Sequence, residues 1–252
     1  VSDLLSGKIV AITGAASGIG LATAMLAARS GAAGVILVDR DALGVEAAAE
    51  AVGAEGCETV TVTADITADT APDDIVQRAA QRFGRLDAAV NAAAIEGGAV
   101  ELVDVTDATF DSVYEVNVRA LFRCLRAQLR QMYAQGSGAI VNVSSASIFG
   151  VHPSLGAYVS SKAAVRTLSQ VAAKEAGPRG VRVNAVCPGL TDTPMLRQSF
   201  GVRPLTSDIA ARIPLGRVAE PDELAEAIVW LCSDRASFTT GASLVVDGGR
   251  VG

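Results

Sequence analysis

The feature that most constrains this chain is a rhythm. Short β-branched runs, KIVAIT, GVILVD, ETVTVTAD, LDAAVN, GAIVNVSS, VRVNAVC and SLVVDG, alternate with longer Ala- and Leu-rich stretches of helical period. Parallel strands need crossovers, so the rhythm predicts right-handed βαβ units. The expected fold class is α/β, a single Rossmann-type doubly wound parallel sheet of about seven strands with helices on both faces. A chain of 252 residues is long enough for one such domain. No stretch looks like a linker, so residues 1–252 are expected to form a single domain. The rhythm fails between Leu190 and Arg217, where Pro194, Pro204 and Pro214 fall among scattered polar residues. A connection that long, at about 190–217, reads as a substrate lid.

Composition removes several classes of function. Hydrophobic residues make up 50% of the chain, yet no apolar run approaches the ~20 residues of a membrane span. The N-terminal VSDLLSGK lacks the basic and apolar regions of a signal peptide, and a soluble cytoplasmic protein is expected. Cys57, Cys124, Cys187 and Cys232 lack CxxC spacing and read as reduced core thiols; no metal site is expected. With 27 acidic against 21 basic residues, a net charge of -6 and no basic stripe, nucleic acid is an unsuitable partner.

The first strand-to-helix junction reads TGAASGIG, Thr13 to Gly20, between KIVAI and the helical run LATAMLAARS. Gly14, Gly18 and Gly20 would permit a tight turn, close approach of the backbone to a pyrophosphate and close helix packing, with the helix N-terminus facing the anion. The spacing is GxxxGxG rather than GxGxxG, and a turn serving packing alone is the competing reading. The second strand, GVILVDR, favours a dinucleotide, because Asp39 falls about where an acidic side chain meets the adenosine ribose hydroxyls. Asp41 is better suited to capping the following helix, DALGVEAAAEAV.

The stretch AYVSSKAAV places Tyr158 and Lys162 one helical turn apart on one face. A free phenol, with a pKa of ~10, is a poor base at neutral pH. A nearby ammonium and a positive nicotinamide ring favour the phenolate, which predicts a pKa moved toward the working range. Ser144 and Ser145 end the strand IVNVSS and point to opposite faces; one hydroxyl could donate to a substrate oxygen as charge develops there. Asn117 interrupts an apolar helical stretch, DATFDSVYEVNVRALFRCL, where an amide is a poor helix former. The competing reading makes Tyr158 a half-buried packing residue and Lys162 a solvated one.

Taken in order, these motifs resemble the short-chain dehydrogenase/reductase family, in its compact single-domain branch, from Lys8 to Gly249. TGAASGIG matches the family's cofactor loop, with Ser17 and Ile19 beside the glycines. Asp65 and Ile66 match its adenine contact, and Asn91, Ala92 and Ala93 open NAAA, where the family commonly has Asn-Asn-Ala-Gly. Ala92 and Ala94 are departures from that pattern. Asn117, Ser145, Tyr158 and Lys162 match the catalytic tetrad, which selects Ser145 over Ser144. PGLTDTPM resembles the nicotinamide-side loop, carrying Pro188, Gly189, Thr191 and Thr193, and TGASLVVDGG resembles the last strand. The resemblance implies that Asn117 perturbs its helix and holds a water linking Lys162 to solvent. It also implies a homotetramer, built by pairing helices near Asp107 to Gln135 and Gly156 to Ala176, with a second contact through the last strand.

The implied activity is NAD-dependent interconversion of a secondary alcohol and a ketone, with Tyr158 as general acid/base. NAD is expected over NADP because Asp39 would oppose a 2′-phosphate and Ala15, Ala16 and Ser17 supply no cation. Arg40 adjoins Asp39 but starts on the opposite face of the strand. Ser147, Phe149, His152 and Met195, with Ile95, Glu96, Val151, Leu196 and Phe200, are candidates to line the substrate pocket. Most are apolar, which suits a hydrophobic or cyclic small molecule. Two alternatives stand: reduction of a β-ketoacyl thioester, with Arg197, Arg203 and Arg212 meeting carrier phosphates, and a non-catalytic dinucleotide-sensing protein.

Overall fold

The computed structural model describes residues 3–200 and 210–251. Strands β1 (Ile9–Thr13), β2 (Gly34–Asp39), β3 (Glu58–Thr63), β4 (Ala88–Asn91), β5 (Gly138–Val143), β6 (Val181–Pro188) and β7 (Ser243–Val246) form one sheet. It is seven-stranded, in the order β3-β2-β1-β4-β5-β6-β7, and every neighbouring pair is parallel. The connections are made by α1 (Gly18–Arg29), α2 (Ala42–Ala54), α3 (Ala71–Phe83), α4 (Asp107–Tyr114), α5 (Leu121–Gln135), α6 (Gly156–Ala176), α7 (Pro194–Phe200) and α8 (Pro221–Cys232).

The strand period of two sorts side chains onto the two faces of the sheet. Val10 and Ile12 of β1 and Val35 and Leu37 of β2 join one core with Ala24 and Ala27 of α1, Val45 of α2 and Leu224 and Ile228 of α8. Ile9, Ala11, Ile36 and Val38 enter the other, against Ile75 of α3, Leu125 and Met132 of α5 and Ala173 and Ala176 of α6. Both faces of the central strands are therefore dry, which is why their sequences read as unbroken apolar runs.

The expected long helix over Asp107 to Gln135 is interrupted. Glu115–Ala120 form a π-helical turn between α4 and α5, and buried Asn117 lies within it. The wide turn accommodates an amide whose hydrogen bonds lie outside the helix, and such turns often mark functional positions. Within the expected lid at about 190–217, α7 is helical; residues 201–209, with Arg203 and Pro204, and the side chain of Phe200 lie outside the described residues. Among the described residues no helix is long and apolar enough to cross a membrane. Cys57, Cys124, Cys187 and Cys232 are all buried and unpaired.

The chain winds outward from β1 to β3 and then returns to lay β4 on the other side of β1. At such a reversal the connections leave the strand ends in opposite directions and a crevice opens between them.

Candidate active site

A cavity of about 690 Å³ occupies this crevice. Its floor is the glycine loop between β1 and α1. Gly14 has φ 73°, and a Cβ there would stand 2.9 Å from the backbone nitrogen of Ala93. A Cβ on Gly20 would collide with the Gly14 carbonyl oxygen, and one on Gly18, at φ 53°, would lie 3.1 Å from Thr193 Cγ2. The loop is thus a cradle that any side chain would fill, at the entrance to α1. Gly14, Ser17, Gly18, Ile19 and Gly20 line it.

Acidic groups stand at the far end of the cradle. Asp39, at the end of β2, accepts hydrogen bonds from Ala16 N and Asp41 N, each 3.1 Å. Each carboxylate oxygen keeps a lone pair for a further donor. Asp41 caps α2 by accepting from Gly44 N at 3.1 Å. Asp65 accepts from the backbone and hydroxyl of Thr67, and these bonds, with nearby Arg40, hold its carboxyl below the ordinary range. Arg40, Ile66, Ala92, Ala93, Pro188, Gly189, Thr191 and Thr193 complete this side of the cavity. The backbone cradle and the strand-end carboxylate fit the phosphates and ribose of a dinucleotide.

The opposite wall joins the end of β5 to the first turns of α6. The hydroxyl of Ser144 donates to the Lys162 carbonyl at 2.8 Å and is committed there. Ser145 shares a hydrogen bond of 2.8 Å with Ser147, and its hydroxyl is near enough to Tyr158 to favour the ionised phenol. Lys162 is 2% exposed; its ammonium donates to Val143 O at 2.9 Å and lies 5.7 Å from the centre of the Tyr158 ring.

In the free protein, with no nicotinamide charge beside the pair, burial dominates the protonation of both Tyr158 and Lys162. Burial pushes the Tyr158 phenol up to about 12; the nearby Ser145 hydroxyl opposes this and Glu96 adds to it. Burial lowers Lys162 to about 8. Desolvation is the largest cause for each group: it disfavours the charged form of both, which raises the phenol and lowers the ammonium.

Four expected residues are placed elsewhere. Asn91 does not line the cavity. It is 3% exposed, and its amide exchanges hydrogen bonds with Gln128 and donates to Asn142, which donates to Ser169. Phe149 and Val151 also lie outside the lining, and Phe149 stacks beneath the Arg166 guanidinium at 5.4 Å. Asn117 stands behind the wall: it donates to Ile95 O at 2.8 Å and Ser161 Oγ at 3.0 Å, and accepts from Ile95 N at 2.9 Å. Both of its amide hydrogens are occupied, so the expected water cannot be held by them. Ser147, His152, Met195, Leu196, Ile95 and Glu96 do line the cavity.

Sequence reasoning missed Ser154 and Arg250, which also border the cavity. Ser154 has φ 68°, the one positive value outside glycine among the described residues, and its carbonyl accepts from Val100 N at 2.8 Å. Nothing in PSLG announces that conformation.

A doubly wound sheet with a glycine cradle and a Ser-Tyr-Lys wall at its switch point defines a dinucleotide-dependent oxidoreductase architecture. A family model described as Enoyl-(Acyl carrier protein) reductase matches residues 14–250. The chain belongs to the short-chain dehydrogenase/reductase family. It is 42% identical over 248 residues to an A-factor type gamma-butyrolactone 1'-reductase of Streptomyces virginiae, covering 98% of this chain and 96% of that one. A cis-4-hydroxycyclohexanecarboxylate dehydrogenase of Sinomonas cyclohexanicum is 40% identical, covering 99% and 98%. The crystal structure of a 3-ketoacyl-(acyl-carrier-protein) reductase from Brucella melitensis, complexed with NADH, superposes with a TM-score of 0.90 at 35% identity, covering 98% and 99%.

Proposed function

We propose that the protein is an NAD-dependent oxidoreductase that interconverts a hydrophobic or cyclic secondary alcohol and its ketone. The observation that carries this reading is the meeting of Ser145, Tyr158 and Lys162 on one wall of the cavity whose floor is the glycine cradle. When bound, the oxidised dinucleotide supplies a hydride acceptor and a positive ring charge. Beside that charge the Tyr158 phenol, raised by burial in the free protein, would lose its proton to solvent more readily, and the resulting phenolate would accept the proton of the substrate hydroxyl. Ser145 Oγ donates to the substrate oxygen, and Lys162, protonated below about 8, biases the phenol toward its ionised form. Asn117 positions the wall by holding Ile95 and Ser161.

Preference for NAD rests on Asp39, whose carboxylate suits ribose hydroxyls and opposes a 2′-phosphate. Arg40 stands near Asp65, and no cation lies in Ala15–Ser17. A cyclic substrate agrees with the apolar lining by Ile95, Met195 and Leu196 and with the cyclic substrates named for the two bacterial relatives. Arg212 and Arg250 at the cavity favour a second reading, reduction of a β-ketoacyl thioester. Against it, Arg197 is held by Asp192 at 2.7 Å.

The same reading includes a homotetramer in the cytoplasm. Its support is the exposed apolar surface of Phe110, Phe122 and Val171 on α4, α5 and α6 and of Trp230 and Val245 on α8 and β7, together with the unpaired cysteines. The deciding experiment is Tyr158→Phe. Turnover should fall by about 10²- to 10⁴-fold while NAD binding is retained; a variant that turns over normally assigns the proton transfer to another group.

A further inference from the structure

Glu96 lies on the loop after β4 and is aimed by supports on both sides. Immediately before it, Ile95 is clamped through its N–H and its carbonyl by Asn117, at 2.9 and 2.8 Å. Immediately after it, Gly97 has φ 85°, and a Cβ there would come 2.5 Å from Val113 Cγ2 on α4. No other residue type satisfies that backbone and that contact together. The Glu96 side chain is half-buried at the end of the cavity that Met195, Leu196, Ser199 and Tyr158 also line. Its Oε2 accepts a hydrogen bond from the Ser199 hydroxyl of α7.

Glu96 lines the same cavity as Tyr158 and Lys162, and its negative charge adds to the raising of the Tyr158 phenol. The carboxylate therefore shares its cavity with the reacting phenol and the apolar side chains of Met195 and Leu196. His152 offers a second acceptor. Its Nδ1 lies 2.9 Å from Pro153 O, a carbonyl can only accept, and so the neutral ring carries its proton there and leaves Nε2 bare.

We propose that Glu96 is a specificity-determining residue that accepts a hydrogen bond from a second hydroxyl of the substrate, so that the enzyme selects neutral diols over mono-alcohols and disfavours substrates with a carboxylate at that position. The inference rests on the alcohol-to-ketone reading above. In the free protein Ser199 donates to one of the two carboxylate oxygens. A substrate hydroxyl replaces it with another charge-assisted bond, whereas an apolar ring displaces the partner without replacing it. A carboxylate meets like charge at short range.

The test compares kcat/KM for cyclohexanol, cyclohexane-1,4-diol and 4-hydroxycyclohexanecarboxylate, with NAD binding and thermal melting measured in parallel. The diol should exceed each of the others by about tenfold or more. Glu96→Ala should bring the diol-to-mono-alcohol ratio close to unity. Glu96→Gln, which keeps an acceptor and the volume, should retain part of that ratio and raise the carboxylate relative to the diol. Ser199→Ala should preserve or increase the diol preference, since it removes only the competitor. An unchanged ratio in Glu96→Ala overturns the inference, as does a native protein that favours the carboxylate, which would give the charge rule to Arg212 and Arg250. A Ser199→Ala variant that reproduces Glu96→Ala also overturns it and makes the pair a latch for α7. Failure of the native protein to oxidise any of a panel of secondary alcohols would overturn the underlying reading as well, whereas turnover with no diol preference overturns this inference alone.

Discussion

Replacing Lys162 with methionine should make the protein more stable at neutral pH while abolishing turnover. Lys162 is 2% exposed, and burial lowers its ammonium from the ordinary 10.5 to about 8. At about 1.4 kcal/mol per pKa unit, holding that charge in the core costs about 3 kcal/mol at pH 7. The unfolded chain keeps the proton up to its ordinary pKa, while the folded protein releases it from about 8. Between those values the unfolded state binds more protons, so stability rises with pH; below about 8 the full penalty applies. Methionine, of similar length, removes the penalty but leaves the Val143 carbonyl without the partner now 2.9 Å away. Losing that bond costs about 1 to 2 kcal/mol. The net expectation is a gain of about 1 to 2 kcal/mol at pH 7. It should shrink and change sign by about pH 10, where the native lysine is neutral in the fold. Urea unfolding followed by Trp230 fluorescence at both pH values, at fixed protein concentration, measures the difference. A methionine variant that is less stable at pH 7, or a difference independent of pH, would refute the desolvation account of this site.

Asp39→Ala should narrow the preference for NAD over NADP, chiefly through better NADP binding; the native ratio of catalytic efficiencies is expected at about 10- to 100-fold, and near-equal native efficiencies would remove Asp39 from cofactor choice. Gly14→Ala should lower stability by at least about 1 to 2 kcal/mol, from the left-handed backbone alone. It should also weaken NAD, because the new Cβ meets the Ala93 backbone at 2.9 Å; dinucleotide titration and thermal melting check both. Asn117→Ala strips three hydrogen bonds, one buried and two part-buried, and should destabilise the fold by about 2 to 4 kcal/mol. Its turnover should fall together with order in the loop that carries Glu96, and hydrogen exchange at Ile95 reads that loss directly.

Local rules carried the reading of the chain a long way. The alternation of β-branched and Ala-rich runs implies parallel strands with crossover helices, because periodicity and propensity act within a few residues. TGAASGIG could be understood in the same way: Gly14 and Gly18 adopt positive φ, a demand that neighbouring backbone atoms impose. The spacing of Tyr158 and Lys162 required only the pitch of a helix. Distant partners decided the rest. Ser144 and Ser145 both line the cavity, but the hydroxyl of Ser144 is taken by the carbonyl of Lys162, a residue on another element. Asn91 resembled a cofactor contact in its motif, yet its amide is buried among Gln128, Asn142 and Ser169 from three other elements. For Tyr158 and Lys162, adjacency along a helix reveals the attraction between two groups but not how much water the assembled core has removed from each, and in the free protein that removal raises the phenol and lowers the ammonium.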